Sequence, residues 1–348
     1  MQYIFPFVIS FIIALLLTPL VRKFLVKKNL AMSSPRERDI HTKPIPRLGG
    51  VAIFLSFMLV ISGYMIFNPD ILVFIKEKIY GLDRNLLGLI IGSLILIIVG
   101  IVDDIRGVGA WQKLFWQIIS GLIIVYFGIN IWWLANPLGG SIEIGWWTYI
   151  LVPLWIVLII NVMNWLDGID GLACGISGIT LVFLLILSAT PLVNQPATAL
   201  LCAILAGAVF GFLPYNFNPA KIFLGDSGSM FLGFMIAVAA IISGGKIATV
   251  ALILGIPILD ALWVIARRLI TGKSPLKADK FHLHHRFLEA GFNQKQTVLI
   301  LFIICASFGI IALQSGTYAK LIAGLWLIGI MVIITLGLFY LKKKKMQK

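Results

Sequence analysis

Apolar runs of about 20 residues, the length a helix needs to cross a bilayer, recur along the whole chain. The pattern predicts eleven spans, at roughly 4–25, 48–67, 85–102, 114–130, 148–165, 176–190, 197–214, 229–243, 247–268, 296–314 and 319–340. A bilayer core accepts only backbones that satisfy their own hydrogen bonds. The expected fold is therefore all-α: a polytopic integral membrane protein with residues 1–348 as a single domain. The first run reads as a span rather than a cleaved signal peptide, because no charge precedes it and no A-x-A site follows. Neither an internal repeat nor a low-complexity segment interrupts the pattern.

The polar positions carry a second pattern. Arg22, Lys23, Lys27, Lys28, Arg36, Arg38, Lys43 and Arg47 follow the first span. Arg267, Arg268, Lys273, Lys277, Lys280, Arg286 and Lys295 follow the ninth, and Lys342 to Lys345 with Lys348 end the chain. The alternate loops hold only Lys76, Lys78, Arg84, Lys246 and Lys320, so 23 of 28 basic residues share one side. The positive-inside rule makes that side cytoplasmic. The N-terminus is then expected outside and the C-terminus inside, which an odd number of spans requires.

Composition sharpens this picture. The chain is 60% hydrophobic with mean hydropathy +1.03, and it has a net charge of +14. That charge is what basic cytoplasmic loops produce, and such loops also meet anionic headgroups of the lipid bilayer; a nucleic-acid partner is not expected. Cys174, Cys202 and Cys305 lie singly in or beside apolar runs, without metal spacing, and read as packing residues. Only 14 residues are acidic, yet five of them fall in three short stretches beside spans: "GIVDD", "NVMNWLDGIDGLA" and "FLGDSGS". Ionisable groups at span ends are expensive and point to function.

Five motif segments fall on the basic side: "HTKPIPRLGG", "DDIRGVGAWQKLFWQ", "NWLDGIDGLACG", "YNFNPAKIFLGDSGS" and "KADKFHLHHRF". Asp103 and Asp104 are adjacent and point about 100° apart on a helix, so one suits a metal or base position while the other orients a neighbour. Asn161, Asn164, Asp167 and Asp170 form a polar stripe if the helix continues through them, with Gly168 and Gly171 loosening it. Asp226 opens a span; phosphate at that helix start needs a bridging cation, which makes Asp226 the preferred metal ligand. His282, His284, His285 and Arg286 form a donor-rich loop for phosphate or sugar; zinc would want closed tetrahedral spacing, which they lack. His41 reads as a surface residue, and Asp260, inside the ninth span, needs a partner such as Arg267 or Arg268. Hard cations bind carboxylates together with substrate phosphates. The substrate expected is an anionic cytoplasmic molecule meeting a lipid at the membrane surface.

"GIVDD", "NVMNWLDGIDGLA", "NFNPAKIFLGDSGS" and "HLHHR", in this order within a polytopic chain, resemble the polyprenyl-phosphate N-acetylhexosamine-1-phosphate transferases. The resemblance covers about residues 1–340, and it is to the bacterial N-acetylglucosamine branch. The related muramoyl-pentapeptide branch carries a Lys where this chain has Gly107, and three consecutive His where it has His-Leu-His-His. The resemblance implies Asp226 with Asn161 as the Mg²⁺ site (Mn²⁺ as an alternative) and Asp103 with Asp104 as the essential acidic pair. It implies Asn164, Asp167, Asp170, Asn216 and Phe223 for the nucleotide, Phe223 stacking on uracil. Lys113, His282, His284, His285 and Arg286 are implied for the phosphates and sugar.

The reaction implied is UDP-N-acetylglucosamine plus undecaprenyl phosphate giving undecaprenyl-diphospho-N-acetylglucosamine and UMP, at the cytoplasmic face of a bacterial membrane. It would be the first membrane step of a cell-surface polysaccharide such as teichoic acid or O-antigen. The second pKa of a phosphomonoester is about 6, so the lipid phosphate is already a nucleophile at neutral pH, and direct attack is the favoured route. A phospho-muramoyl-pentapeptide or other UDP-hexosamine substrate is the enzymatic alternative. A transporter is the non-enzymatic one, but it predicts ionisable residues at the bilayer midplane and repeated halves. Oligomeric state is open, with a homodimer among the options.

Overall fold

The computed structural model describes residues 2–33, 44–75, 77–79, 81–136, 139–244, 246–272 and 282–346. His41 and the basic residues Arg36, Arg38, Lys43, Lys273, Lys277 and Lys280 lie outside them. The apolar runs form helices α1 (Ile4–Lys28), α2 (Gly49–Phe67), α3 (Arg84–Arg106), α4 (Ala110–Tyr126), α5 (Thr148–Leu166), α6 (Leu172–Ala189) and α7 (Pro196–Asn216). They continue as α8 (Gly225–Ile242), α9 (Ile247–Ile253), α10 (Gly255–Ile270), α11 (Leu283–Ala290), α12 (Gln294–Gln314) and α13 (Thr317–Met346). Among the described residues, extended structure is confined to three short antiparallel pairings in connections: Met32–Ser33 with Ile45–Pro46, Lys78–Ile79 with Leu82–Asp83, and Trp133–Ala135 with Ser141–Glu143.

Among the described residues, nine helices are long and apolar enough to cross a membrane, or ten if α9 and α10 count as one span bent by 80°. Eleven were expected; the remaining run forms α4, which stands at the lower limit of length for a span. It begins before the run at 114–130 and stops at Tyr126, because Phe127 and Gly128 (φ +93°) turn the chain away. Its 17 residues reach only about 25 Å at 1.5 Å per residue. The ninth run also differs, since it was expected to be continuous. The break falls at Leu254, beside Pro257, which has no amide to return to the Ile253 carbonyl.

Without a hydrophobic drive between helices in lipid, close packing at small residues holds them together. Gly207 and Gly211 of α7 lie against the backbone at Phe7 and Phe11 of α1, where a Cβ would collide. The most enclosed span is α8, with 89% of its apolar stretch buried under α2, α3 and α5. The outward faces of α1 and α13 remain apolar: Phe5, Leu16, Leu20, Trp326, Ile333 and Phe339 are all more than 55% exposed. Apolar patches of that extent mark a surface covered by lipid. The protein is a polytopic helical membrane protein, and its central helix begins with the turn that carries Asp226.

Candidate active site

The C-terminal end of α3 meets the N-terminal turn of α8. Asp103 and Asp104 diverge there, as neighbours on a helix must. Asp103 faces α4: its Oδ2 accepts from Lys113 Nζ at 3.0 Å, and its Oδ1 from the Val108 amide. Asp104 is buried and faces α8. Its Oδ1 accepts from the Asp226 amide at 2.9 Å, and its Oδ2 from the Ser227 amide at 3.0 Å and hydroxyl at 2.8 Å. The first amides of a helix lack partners within it, so Asp104 caps α8 from a different span. Lys113 Nζ also donates to Asp226 Oδ2 at 2.8 Å, so one ammonium bridges the Asp103 and Asp226 carboxylates.

The expected stripe after the fifth run is split. Asp167 ends α5, and Gly171, at φ +80°, starts α6. Asn164 remains on the helix, donates to Ser229 Oγ at 3.0 Å, and reaches the Asp226 carboxylate. Asn161 lies about 4.5 Å deeper along the helix. It gives its amide to Gln117 Oε1 at 2.7 Å and to the Val157 carbonyl at 2.8 Å. Asn164 is therefore the asparagine brought against Asp226, where Asn161 was expected.

Asp167 Oδ2 accepts from the Gly225 amide at 3.2 Å. Burial, and then the charge of Asp226, push its carboxyl well above the usual range, while the Arg47 guanidinium pulls the other way. Asp170 turns elsewhere. It is buried, and its Oδ2 accepts from Asn218 Nδ2 at 2.9 Å and the Ala220 amide at 3.0 Å. Asn216, only 2% exposed, donates to the Ile222 carbonyl at 3.1 Å. Both residues, expected among the nucleotide contacts, also hold the connection from α7 to α8 in place. That connection carries half-buried Phe223, whose amide donates to the Pro46 carbonyl at 2.9 Å and whose carbonyl accepts from the Gly49 amide at 2.9 Å. The Gly50 amide donates to the Leu224 carbonyl at 2.9 Å. The "PIPRLGG" segment thus clamps the approach to Asp226.

The histidine segment starts α11. His282 Nδ1 lies 2.9 Å from Asp260 Oδ2, and the Leu283 amide donates to Asp260 Oδ1 at 2.9 Å. The acid inside the ninth span is therefore met by His282, where an arginine was expected. The His282 ring lies 5.9 Å from that of Trp165. Buried His284 turns Nε2 toward Gly168, where a side chain would collide with it, and that nitrogen has no hydrogen-bond partner. Burial, then the neighbouring His285 and His282, hold the His284 imidazole well below its ordinary range. His285 and Arg286 are half-buried on the first turn of α11. The described parts of all five motif segments meet at one end of the bundle.

Residues 86–244 match the family model for glycosyl transferase family 4. A Bacillus subtilis protein named "Probable undecaprenyl-phosphate N-acetylglucosaminyl 1-phosphate transferase" is 34% identical over 326 residues, spanning 91% of this chain and 86% of its own length. The chain belongs to glycosyl transferase family 4. A decaprenyl-phosphate N-acetylglucosaminephosphotransferase of Mycolicibacterium smegmatis is 33% identical over 299 residues, 78% of this chain and 72% of that one. A phospho-N-acetylmuramoyl-pentapeptide-transferase of Staphylococcus aureus is 29% identical over 328 residues, 89% of this chain and 97% of that one.

In this family 4 site, Asp103, Asp104, Asp167 and Asp226 converge with Lys113 and Arg47. The donor set is oxygen throughout, and two of its carboxylates press together across a lysine. Such a set fits a hard cation, which takes one or two carboxylates and fills its shell with waters and phosphates. Among the described residues, no three acidic, His or Cys side chains form a complete metal cage. The sequence reading passed over Ser227, Ser229, Asn218 and Gln117 as site partners. All four sit inside the motif segments, Gln117 one helical turn after Lys113.

Proposed function

We propose that this family 4 enzyme transfers N-acetylglucosamine 1-phosphate from UDP-N-acetylglucosamine to undecaprenyl phosphate, releasing UMP. The observation that carries the reading is Lys113 held between Asp103 and Asp226, at 3.0 and 2.8 Å. Two anionic phosphates must meet here, and preorganised charge is the largest resource an enzyme has for that. A phosphate oxygen of the lipid attacks the sugar-bearing phosphorus. The bond from that phosphorus to the UMP oxygen breaks, and the electron pair leaves with UMP. With a second pKa of about 6 for a phosphomonoester, the attacking group needs no base at neutral pH.

Lys113 reaches both carboxylates and is placed to follow the phosphate charge. Asp226, with Asp103 beside it, would hold Mg²⁺, which offsets diphosphate charge when bound. Phe223 offers a face for uracil, and the "HLHHR" loop meets the sugar and diphosphate. The loop asymmetry in basic residues supports a cytoplasmic location for this end. The acetylglucosamine branch is supported by Gly107 and by Leu283 within the histidine run, and by the printed names of the two acetylglucosamine relatives.

The test is purified protein with Mg²⁺, undecaprenyl phosphate and a panel of UDP-sugars. UMP and lipid-linked N-acetylglucosamine are expected. Faster transfer from UDP-N-acetylmuramoyl-pentapeptide would overturn the sugar assignment.

A further inference from the structure

Asp260 is a carboxylate buried in the bundle, and its partner is a buried imidazole: each is 7% exposed. Asp260 sits on α10, whose course is set by the 80° break after α9. Its two oxygens have separate tasks. Oδ2 lies 2.9 Å from His282 Nδ1, and Oδ1 accepts from the Leu283 amide at 2.9 Å. Leu283 is the first residue of α11, so its amide is one that the helix itself leaves unpaired. One side chain therefore anchors both the helix start and the ring that precedes it.

This arrangement decides the hydrogen on the ring. An ionised carboxylate only accepts, so Nδ1 must carry the hydrogen. In a neutral imidazole the other nitrogen, Nε2, then keeps a lone pair. Neighbouring rings restrict rotation: Trp165 lies at 5.9 Å and 30°, and His284 at 5.8 Å and 1°. A lone pair at Nε2 cannot bond to a phosphate oxygen, which has no hydrogen to give. It accepts from a hydroxyl or an amide N–H.

We infer that Asp260 is a positioning residue for sugar recognition, fixing a hydrogen of His282 on Nδ1 so that Nε2, the free nitrogen of that tautomer, accepts from a hydroxyl or acetamido N–H of the transferred sugar. The inference rests on the reading that the "HLHHR" loop meets the sugar nucleotide. It divides the work of that loop, giving His282 to the sugar and leaving the cationic contacts to others.

The chain has four histidines, so ¹⁵N-histidine labelling gives a spectrum simple enough to resolve. Loss of a signal in His282→Gln assigns the ring. The wild-type ring is expected to carry its hydrogen on Nδ1, with Nε2 bare. Asp260→Asn keeps the volume but offers one acceptor oxygen for two donors, so the ring signal is expected to shift toward the Nε2-hydrogenated form. The KM for UDP-N-acetylglucosamine should rise about 10- to 100-fold, the usual cost of losing such a supporting partner, with the KM for lipid phosphate unchanged. Asp260→Glu should restore part of the loss, and adding Asp260→Asn to His282→Gln should cost little more.

A wild-type ring hydrogenated at Nε2, or at both nitrogens, overturns the inference. So does a normal sugar-nucleotide KM in Asp260→Asn, or additive losses in the double variant. If Asp260→Asn fails to fold, the wild-type spectrum decides alone. If UDP-N-acetylglucosamine is not a substrate, the functional reading fails, and the spectrum still reports separately on the Asp260–His282 pair.

Discussion

Asp104 holds Ser227 by two bonds at once, accepting its amide at 3.0 Å and its hydroxyl at 2.8 Å. With the Asp226 amide on its other oxygen, Asp104 ties the end of α3 to the start of α8. Asp103, one residue away, instead faces the Lys113 ammonium of α4. Asp104→Asn would turn an amide donor toward hydrogen-bond donors, a loss of about 1–3 kcal/mol for a buried unsatisfied group. Both substitutions are expected to abolish turnover, but only Asp104→Asn should also lower the unfolding temperature in detergent. Equal melting of the two variants would contradict this division of roles.

Asp226→Asn removes one of the two carboxylates that face Lys113. Turnover should fall at least about 100-fold, the scale of losing a preorganised electrostatic contact, and no Mg²⁺ concentration should restore it. The check is a Mg²⁺ titration of variant and wild type. Near-normal activity across that titration excludes Asp226 as a metal ligand.

Phe223 holds its place by backbone bonds to Pro46 and Gly49, so its side chain can be removed without unpinning the loop. Phe223→Ala should weaken UDP-sugar binding by about 1–3 kcal/mol, the worth of stacking a base on an aromatic ring. The KM for lipid phosphate should not move. An unchanged nucleotide KM would refute the stacking assignment.

Gly50 lies directly on the Gly228 backbone, where a Cβ has no room. Gly50→Ala touches no candidate ligand, yet it should push "PRLGG" off the first turn of α8. The expected result is a fall in both unfolding temperature and kcat. Gly63→Ala, on the same helix with open space around it, is the matched control and should behave as wild type.

Burial keeps His284 neutral in the fold. The unfolded chain takes up a proton near pH 6.5, the ordinary value for His, and the folded chain refuses it. Its contribution to stability is therefore complete above about pH 6.5 and is lost as the pH falls toward the lowered folded value. Asp167, raised by burial and by Asp226, works in the opposite sense: its contribution is lost as pH rises. Comparison with His284→Gln separates the two. Between pH 8 and 5, the wild type should lose unfolding temperature faster than the variant below about pH 6.5. Parallel curves would show that His284 is not the group responsible.

Much of the site could be read from residue order, because the motifs name their chemistry. A carboxylate beside an apolar span is costly wherever it lies, so Asp103, Asp104, Asp167 and Asp226 stood out as candidates without coordinates. Periodicity could not say which acids face outward to a ligand and which face inward. Only the structure shows that Asp170 and Asn216 hold the α7–α8 connection through Asn218, Ala220 and Ile222. Asn161 and Asn164 share one helix face in sequence, and only the depth of α5 against α8 selects Asn164 for Asp226.

By itself, then, the sequence determined the membrane class, the helical architecture and the short list of reactive side chains. These follow from local composition: apolar length, charge placement and residue chemistry are properties of each segment taken alone. Tertiary structure alone decided that Asp104 caps a distant helix, that Asp260 meets His282, that α4 stops at 17 residues, and that Lys113 stands between Asp103 and Asp226. Those are pairings across spans, joining residues as far apart in the chain as Asp104 and Ser227. They depend on which helix faces approach at small residues, and segment-by-segment patterns hold no record of that approach.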